Sequence, residues 1–188
     1  MSVAETAELL EAETITLEQQ HAFNLARWEQ LIADPELARY PFRVESDRYG
    51  YPVMIPPPAP EHGDKQIEIG FLLRSLLPDG LTTGKCPVST REGVKGADIA
   101  WSSRERRREQ RGQVVLTVAP QICVEVFSPD NSLREMKEKR ALYFEAGAEE
   151  VWFCRRDGRM EFFRKDAPDK ATVSALCPAF PQRIEVDV

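Results

Sequence analysis

The chain has 188 residues, of which 42% are hydrophobic and 30% charged, with a net charge of −6. This composition belongs to a globular domain that can bury a full core, and it excludes an intrinsically disordered chain. No apolar run is long enough to span a bilayer, and the net acidity argues against a surface with generic affinity for nucleic acid, whose phosphates favour a basic partner.

Residues 1–13 are polar and acidic, without the basic and apolar regions of a secretory signal. They are expected to fray, and the protein is expected to be cytoplasmic, with no membrane partner. From Thr16, the segment TLEQQHAFNLARWEQLIADP sets Leu17, Phe23, Leu25, Trp28, Leu31 and Ile32 along one side of a helix ended by Asp34 and Pro35. This helix could pack on its own domain or form the interface of a homodimer. His21, with no second ligand beside it, reads as a surface residue. Phe42–Asp47 and Tyr51–Ile55 are short β-prone stretches joined by a turn at Arg48–Gly50, and a stiff Pro-rich link follows.

Glu61–Leu77 reads as a helix with Ile67, Phe71, Leu72 and Leu76 near one face. His62, Asp64 and Glu68 occupy its first turns, where acidic residues interact favourably with the helix dipole. Lys85–Thr90 is an expected strand and Gly93–Gly96 an expected loop. Ala97–Trp101 is a short strand in which Asp98 is the one carboxylate among apolar residues. Next comes SSRERRREQRG, the one dense basic cluster of the chain, with Arg104, Arg106, Arg107, Arg108 and Arg111. It reads either as a solvated face interleaved with Glu105 and Glu109 or as a phosphate-contacting patch near the functional cleft.

The stretch from Gln121 to Arg164 reads as strand, helix, strand, turn and strand. Ile122, Cys123, Val124, Val126 and Phe127 form a nearly continuous apolar run, the pattern of a strand buried on both faces, with Glu125 in its midst. A carboxylate there has to be hydrogen-bonded, neutralised or bound to a metal, because burying an unpaired charge is costly. Ser128, Asp130 or Asn131 can cap the following helix, which shows Leu133, Met136, Tyr143 and Phe144 on one broad face and stops at Gly147. Arg140 lies near the centre of that face and Lys139 on its flank, so at least one should reach the sheet. Glu150–Cys154 and Met160–Arg164 form a hairpin around Asp157–Gly158. RKDAPDK reads as a loop, and Ala171–Leu176 and Arg183–Val188 as edge strands. The four cysteines, Cys86, Cys123, Cys154 and Cys177, lack zinc-site spacing and read as free thiols.

Two acids in neighbouring strands and a nearby lysine are the set that metal-assisted phosphodiester cleavage requires. Asp98 and Glu125 can hold Mg²⁺ or Mn²⁺ through oxygen, and the ion lowers the pKa of a bound water. Lys139 then orients the nucleophile or stabilises the transition state. Lys137 and Arg140 are rivals for this place, but Lys137 falls on the other flank and a guanidinium is always protonated.

The segments ADIAWSSRER, CVEVFSPDNS and EKRALYFEAGAEEVWFC resemble consecutive motifs of the Uma-two family, within the PD-(D/E)XK restriction-endonuclease-like superfamily. PPPAPEH with the apolar helix after it resembles the family's amino-terminal pattern, so the likeness runs from Phe42 to Arg164. It implies an α/β fold with a mixed sheet flanked by helices, organised as a helical extension over 1–40 and an endonuclease-like domain over 41–188. It implies a metal-dependent endonuclease acting on DNA, with Asp98 and Glu125 as metal ligands. The superfamily lysine, absent at the Phe127 position, is expected on the next helix four residues before Tyr143, at Lys139. A further acid is implied from the first helix of the domain, Glu68 or Asp64, with His62 facing the same cleft. Two positions depart from the pattern: Ala97 where the motif has proline, and Arg140 where the family has an apolar residue. A non-catalytic nucleic-acid-binding or regulatory module and an oligomeric structural protein are the other readings of the same fold. Asp98, Glu125 and Lys139 favour the enzyme, because a binding module has no need of acids inside strands.

Overall fold

The computed structural model describes residues 15–40, 42–129 and 131–186, so the amino-terminal acidic stretch, the candidate cap Asp130 and the terminal Asp187 and Val188 lie outside it. Helix α1 (Leu17–Ile32) starts at Thr16, whose hydroxyl accepts from the Gln19 N–H while the Gln19 side chain accepts from the Thr16 N–H. The buried face is Gln20, Asn24, Trp28 and Leu31, whereas Ile32 is exposed. The polar pair on this face fixes the helix to its own chain. The Asn24 amide donates to Ser89 Oγ at 2.9 Å and to the Thr90 carbonyl at 2.8 Å, and Gln20 donates to the Arg48 carbonyl at 2.9 Å. His21, expected at the surface, is drawn into this junction with Nδ1 2.7 Å from Ser89 Oγ, and burial lowers its pKa.

Strands β1 (Arg43–Ser46) and β2 (Pro52–Ile55) form an antiparallel hairpin of their own. Helix α2 (Pro60–Leu76) follows, with proline in its first turn, where the missing N–H has no intrahelical partner to lose. Its buried face is Ile69 and Leu73, so the expected face is corrected: Ile67 is 73% and Phe71 63% exposed. Two residues correspond to about 200° of helix rotation, so packing Ile69 and Leu73 on the sheet turns Ile67 and Phe71 outwards.

Strands β3 (Gly80–Thr90) and β4 (Gly93–Ser103) are eleven-residue antiparallel partners with Arg91 and Glu92 at the turn. Gly93–Gly96, expected as a loop, is therefore strand. Gly93 lets the β1 end of the small hairpin lie directly on β4. Gly93 has φ 92°, and a Cβ there would strike the Ser46 and Asp47 carbonyls. Ser103 then caps the short helix α3 (Arg104–Glu109). Strand β5 (Ile122–Val126) is buried throughout and is followed by α4 (Leu133–Glu145), which opens with a reciprocal Ser132–Glu135 cap. Strands β6 (Glu150–Cys154), β7 (Met160–Arg164) and β8 (Ala167–Thr172) complete a six-stranded sheet of order β3-β4-β5-β6-β7-β8. Only the β5–β6 pair is parallel, its two strands joined through α4.

The sheet carries a core on each face. Ala97, Ala100, Cys123, Val151 and Phe153 pack with Met136, Tyr143 and Phe144 of α4, while Ile99, Trp101, Val124, Trp152 and Phe162 pack with Ile69 and Leu73 of α2. Leu133, expected in the α4 face, is exposed in the first turn. Arg140 takes the apolar place instead, with its guanidinium 4.2 Å from the centre of the Phe163 ring and paired with Asp169 at 2.6 Å. Asp169 belongs to β8, the strand formed where a loop was expected. Pro168 is tolerated there because β8 is an edge. All four cysteines are free and buried, and no helix among the described residues is long and apolar enough to cross a membrane.

Glu150 anchors the carboxy-terminal segment. Its carboxylate accepts from Trp152 Nε1 and Ser174 Oγ, both at 2.7 Å, and from the Ala175 and Leu176 N–H groups at 2.6 and 2.9 Å. Glu150→Ala leaves these donors without an acceptor and is expected to lower stability by about 3 kcal/mol in urea unfolding. Faster hydrogen exchange at the Ala175 and Leu176 amides should accompany the loss. An unchanged midpoint would mean that Phe180 and Ile184 hold the segment unaided.

Candidate active site

Asp98 and Glu125 reach one place because β4 and β5 run antiparallel with Ile99 opposite Val124, which sets the two acids side by side. Each residue is 3% exposed. Asp98 Oδ2 accepts from the Val126 N–H at 2.9 Å and lies 3.3 Å from His62 Nε2. Its Oδ1 accepts from Arg43 at 3.0 Å and from the Lys85 ammonium at 3.2 Å. Glu125 Oε1 accepts from the Tyr143 hydroxyl at 2.6 Å, and Oε2 is 3.5 Å from Lys139 Nζ.

A third carboxylate completes the group. Glu45 of β1 accepts at Oε1 from Lys139 at 3.0 Å, the Gly96 N–H at 3.1 Å and Arg43 at 3.4 Å. One guanidinium thus bridges Asp98 and Glu45, and one ammonium bridges Glu45 and Glu125. The group borders a cleft of about 1580 Å³. Val53, Ile55 and Pro56–Pro58 form one wall, and Met136, Lys139 and Leu142 of α4 contribute the other.

The shared environment drives the two central acids apart. Burial would raise the Asp98 pKa, but His62, Lys85, Arg43 and the Val126 N–H outweigh it and hold the carboxyl well below the usual range. Glu125 is pushed up to about 7, chiefly by burial, with the charges of Asp98 and Glu45 adding to it against Lys139 and Tyr143. Burial disfavours the Lys139 ammonium, yet Glu125 and Glu45 prevail and raise its pKa. Lys139 is therefore a fixed positive charge at neutral pH.

Of the residues singled out from sequence, Asp98, Glu125, Lys139 and His62 come together. Glu68 and Asp64 do not line the cleft. Glu68 lies six positions beyond His62, about 120° round the helix and about 9 Å along it, and Glu45 from the preceding hairpin stands nearest the group instead. The arginine cluster is also displaced from the cleft. The Ser103 N–H at its start donates to the Gln121 side-chain oxygen, at the Ile122 end of β5, while the cleft opens at the Val126 end. Arg104 and Arg108 are exposed, Arg107 is half-buried, and Arg106 donates to the Ala119 carbonyl at 2.7 Å. Arg43, Glu45 and Lys85 are the residues that sequence reasoning missed. The signal for the first two was faint: two opposite charges at period two in a four-residue strand.

Carboxylate oxygens are the donors that Mg²⁺ or Mn²⁺ prefers, and Asp98, Glu125 and Glu45 offer them on one cleft floor. Arg43 and Lys139 stand between these acids, so no three His, Cys, Asp or Glu residues are gathered as a ready ligand set among the described residues. The donors fit such an ion in kind, with the basic side chains balancing the charge that it would balance when bound.

A six-stranded mixed sheet flanked by helices is a restriction-endonuclease-like fold, and here the group lies where the middle of β4 meets the Val126 end of β5. The chain belongs to the Uma2 family, whose model, described as "Putative restriction endonuclease", matches residues 28–188. The match begins inside α1 and so takes in the hairpin that supplies Arg43 and Glu45. Among solved structures the chain is similar to an Anabaena variabilis protein described as "a putative nuclease belonging to DUF820". The two superpose with a TM-score of 0.62 at 16% identity, over 79% of this chain and 92% of that one, a likeness of fold. No curated protein matches.

Glu125 yields a pH prediction. An acid whose folded pKa lies above its unfolded value takes up a proton on folding, so its contribution to stability is lost as pH rises from about 4.5 to about 7. The slope is at most about 1.4 kcal/mol per pH unit. Glu125→Gln should remove it, so the variant gains on the wild type in urea unfolding between pH 5 and pH 7.5. Asp98 acts in the opposite sense and at lower pH, its contribution fading as pH falls through the carboxylate range. Parallel stability curves for the two proteins would show Glu125 to be ionised throughout.

Proposed function

We propose that the protein is a metal-dependent DNA endonuclease that hydrolyses phosphodiester bonds at the floor of the cleft. The observation that carries this reading is the convergence of Asp98 and Glu125 from adjacent strands with the Lys139 ammonium, 3.5 Å from Glu125. Asp98 and Glu125 would hold Mg²⁺ or Mn²⁺, which when bound would lower the pKa of a water and bring positive charge towards the phosphate. Tyr143 holds Glu125 in place by donating to one oxygen, leaving the other towards the cleft side occupied by Lys139. Because Lys139 stays protonated, it serves as a hydrogen-bond donor and countercharge to a phosphate oxygen and not as a base. In hydrolysis the water oxygen bonds to phosphorus and gives up a proton to solvent, the ester oxygen leaves with its bonding pair and takes up a proton from solvent, and the charge that builds on the phosphate meets Lys139 and Arg43.

Arg104, Arg107 and Arg108 lie away from this floor, so their part is a phosphate contact further along a longer substrate. Such contact is salt-sensitive and indifferent to sequence. One observation favours a non-catalytic module instead: the acids are already neutralised by Arg43, Lys85 and Lys139.

Plasmid nicking with Mg²⁺ or Mn²⁺ separates the two. Wild type should nick and lose the activity in EDTA. Lys139→Met should reduce nicking by about 100-fold or more while calorimetry shows metal binding retained. Asp98→Ala with Glu125→Ala should abolish both. If Lys139→Met cleaves fully, the assignment of that residue fails, and a wild type inert towards supercoiled, linear and single-stranded DNA points to the module. Replacing Arg104, Arg107 and Arg108 together by alanine should weaken DNA retention at low salt without changing the nicking rate at saturating DNA. Unchanged retention would leave the cluster a solvated face.

A further inference from the structure

We infer that Lys85 is a second phosphate-contacting residue of the cleft, on the flank opposite Lys139, and that its left-handed backbone is what aims Asp98 towards the end of β5. The inference rests on the nuclease reading and extends it to a residue outside the family motifs quoted above.

Lys85 is the one non-glycine residue with positive φ among those described, at 52°. For a residue with a Cβ this conformation costs free energy, and glycine is its usual occupant. Gly84 lies next to it and does not take the conformation, so the strain falls on the lysine. The register shows what the distortion does. Gly84 pairs with Ile99 and Cys86 with Ala97, leaving Lys85 opposite Asp98 without a regular pairing. Residues two apart on a strand share a face, yet Ala97 packs in the α4 core and Ile99 in the α2 core. The strand pair therefore rolls at Lys85 and Asp98, as a bulge does when it re-aims a side chain. The roll delivers the Asp98 carboxylate to the Val126 N–H beside Glu125.

The lysine side chain leads to the same place. Its ammonium is 3.2 Å from Asp98 Oδ1, and the side chain is 42% exposed and lines the cleft. Lys139 is the more enclosed, at 20%, and is held between two carboxylates. Among the described residues Lys85 has a single acidic partner, and it has access to solvent, which suits it to exchange that partner for a substrate phosphate. Phe127, where the superfamily pattern has lysine, lies buried in the α4 core, so the positive charge near the acids comes from other elements.

Two substitutions separate backbone from charge. Lys85→Gly permits the left-handed conformation and removes the ammonium, whereas Lys85→Val forbids it. Binding of a labelled single-stranded oligonucleotide in Ca²⁺ is read by fluorescence anisotropy across a salt series, and Mn²⁺ binding by calorimetry. Lys85→Gly should unfold at the same or a higher urea concentration and bind Mn²⁺ no more weakly than the wild type. Its oligonucleotide affinity should fall about 10-fold, with a slope of log affinity against log salt shallower by about 0.7. Lys85→Val should lose Mn²⁺ affinity as well. An oligonucleotide affinity and slope for Lys85→Gly equal to the wild type's overturn the phosphate contact, and a lower urea midpoint or unchanged Mn²⁺ binding by folded Lys85→Val overturns the aiming role. A wild type that binds no oligonucleotide overturns the inference together with the nuclease reading. One that binds through Lys85 and cuts nothing sinks only the latter.

Discussion

Three carboxylates buried at one end of a central strand can persist only if positive charge separates them. Arg43 between Asp98 and Glu45, and Lys139 between Glu45 and Glu125, provide that separation. Losing either cation would leave acids facing one another in a place where water cannot screen them, at a cost of several kcal/mol. Most of the architecture near the cleft follows from bringing these side chains and Lys85 to one point. They come from β1, β3, β4, β5 and α4, elements far apart in the chain.

The small β1–β2 hairpin is the clearest case. Its backbone reaches β4 closely enough for Ser46 Oγ to accept from the Val94 N–H and for Glu45 to accept from the Gly96 N–H. Gly93 admits that approach, and Lys95 tightens it by donating to the Ser46 carbonyl at 3.0 Å. Helix α1 braces the far side through Gln20, which donates to the Arg48 carbonyl at 2.9 Å, and Arg27, which donates to the Gly50 carbonyl at 2.8 Å. The hairpin is thus part of the site, although it makes no ladder with the main sheet. Across the cleft, Arg156 donates to the Ser128 and Pro129 carbonyls and Lys65 to the Arg156 carbonyl, which ties the β5–α4 connection to α2.

The same electrostatics explain how two neighbouring acids differ. Asp98 gains four stabilising partners and is an anion over the whole physiological range, whereas Glu125 is enclosed by apolar strand and shares its cation with Glu45. A pair of carboxyls held apart in pKa is a common mark of sites that handle protons or cations. Glu150, equally buried, serves instead to pin the chain's end, with neutral and backbone donors satisfying both its oxygens.

Local pattern determined a great deal by itself. The apolar run around Glu125 and the isolated Asp98 marked the two acids, because an ionisable side chain inside a buried strand stands out against its neighbours. The helix start at Thr16 and the turn at Gly158 set element boundaries, being interactions within a few residues, whereas the cap of α4 is Ser132 and not Ser128 or Asn131, to which the sequence pointed. Lys139 and Arg140 were both visible as cations on an apolar helix face, but only packing decided that one turns to Glu125 and the other to Phe163 and Asp169. Which face of α2 was buried, the strand state of Gly93–Gly96 and the place of Glu45 were likewise settled by tertiary structure. Each depends on a partner far along the chain, and a hydrophobic period or a glycine carries no record of which surface it will meet. The left-handed Lys85 left no local trace at all, since its conformation follows from the paired strand and the acid opposite it.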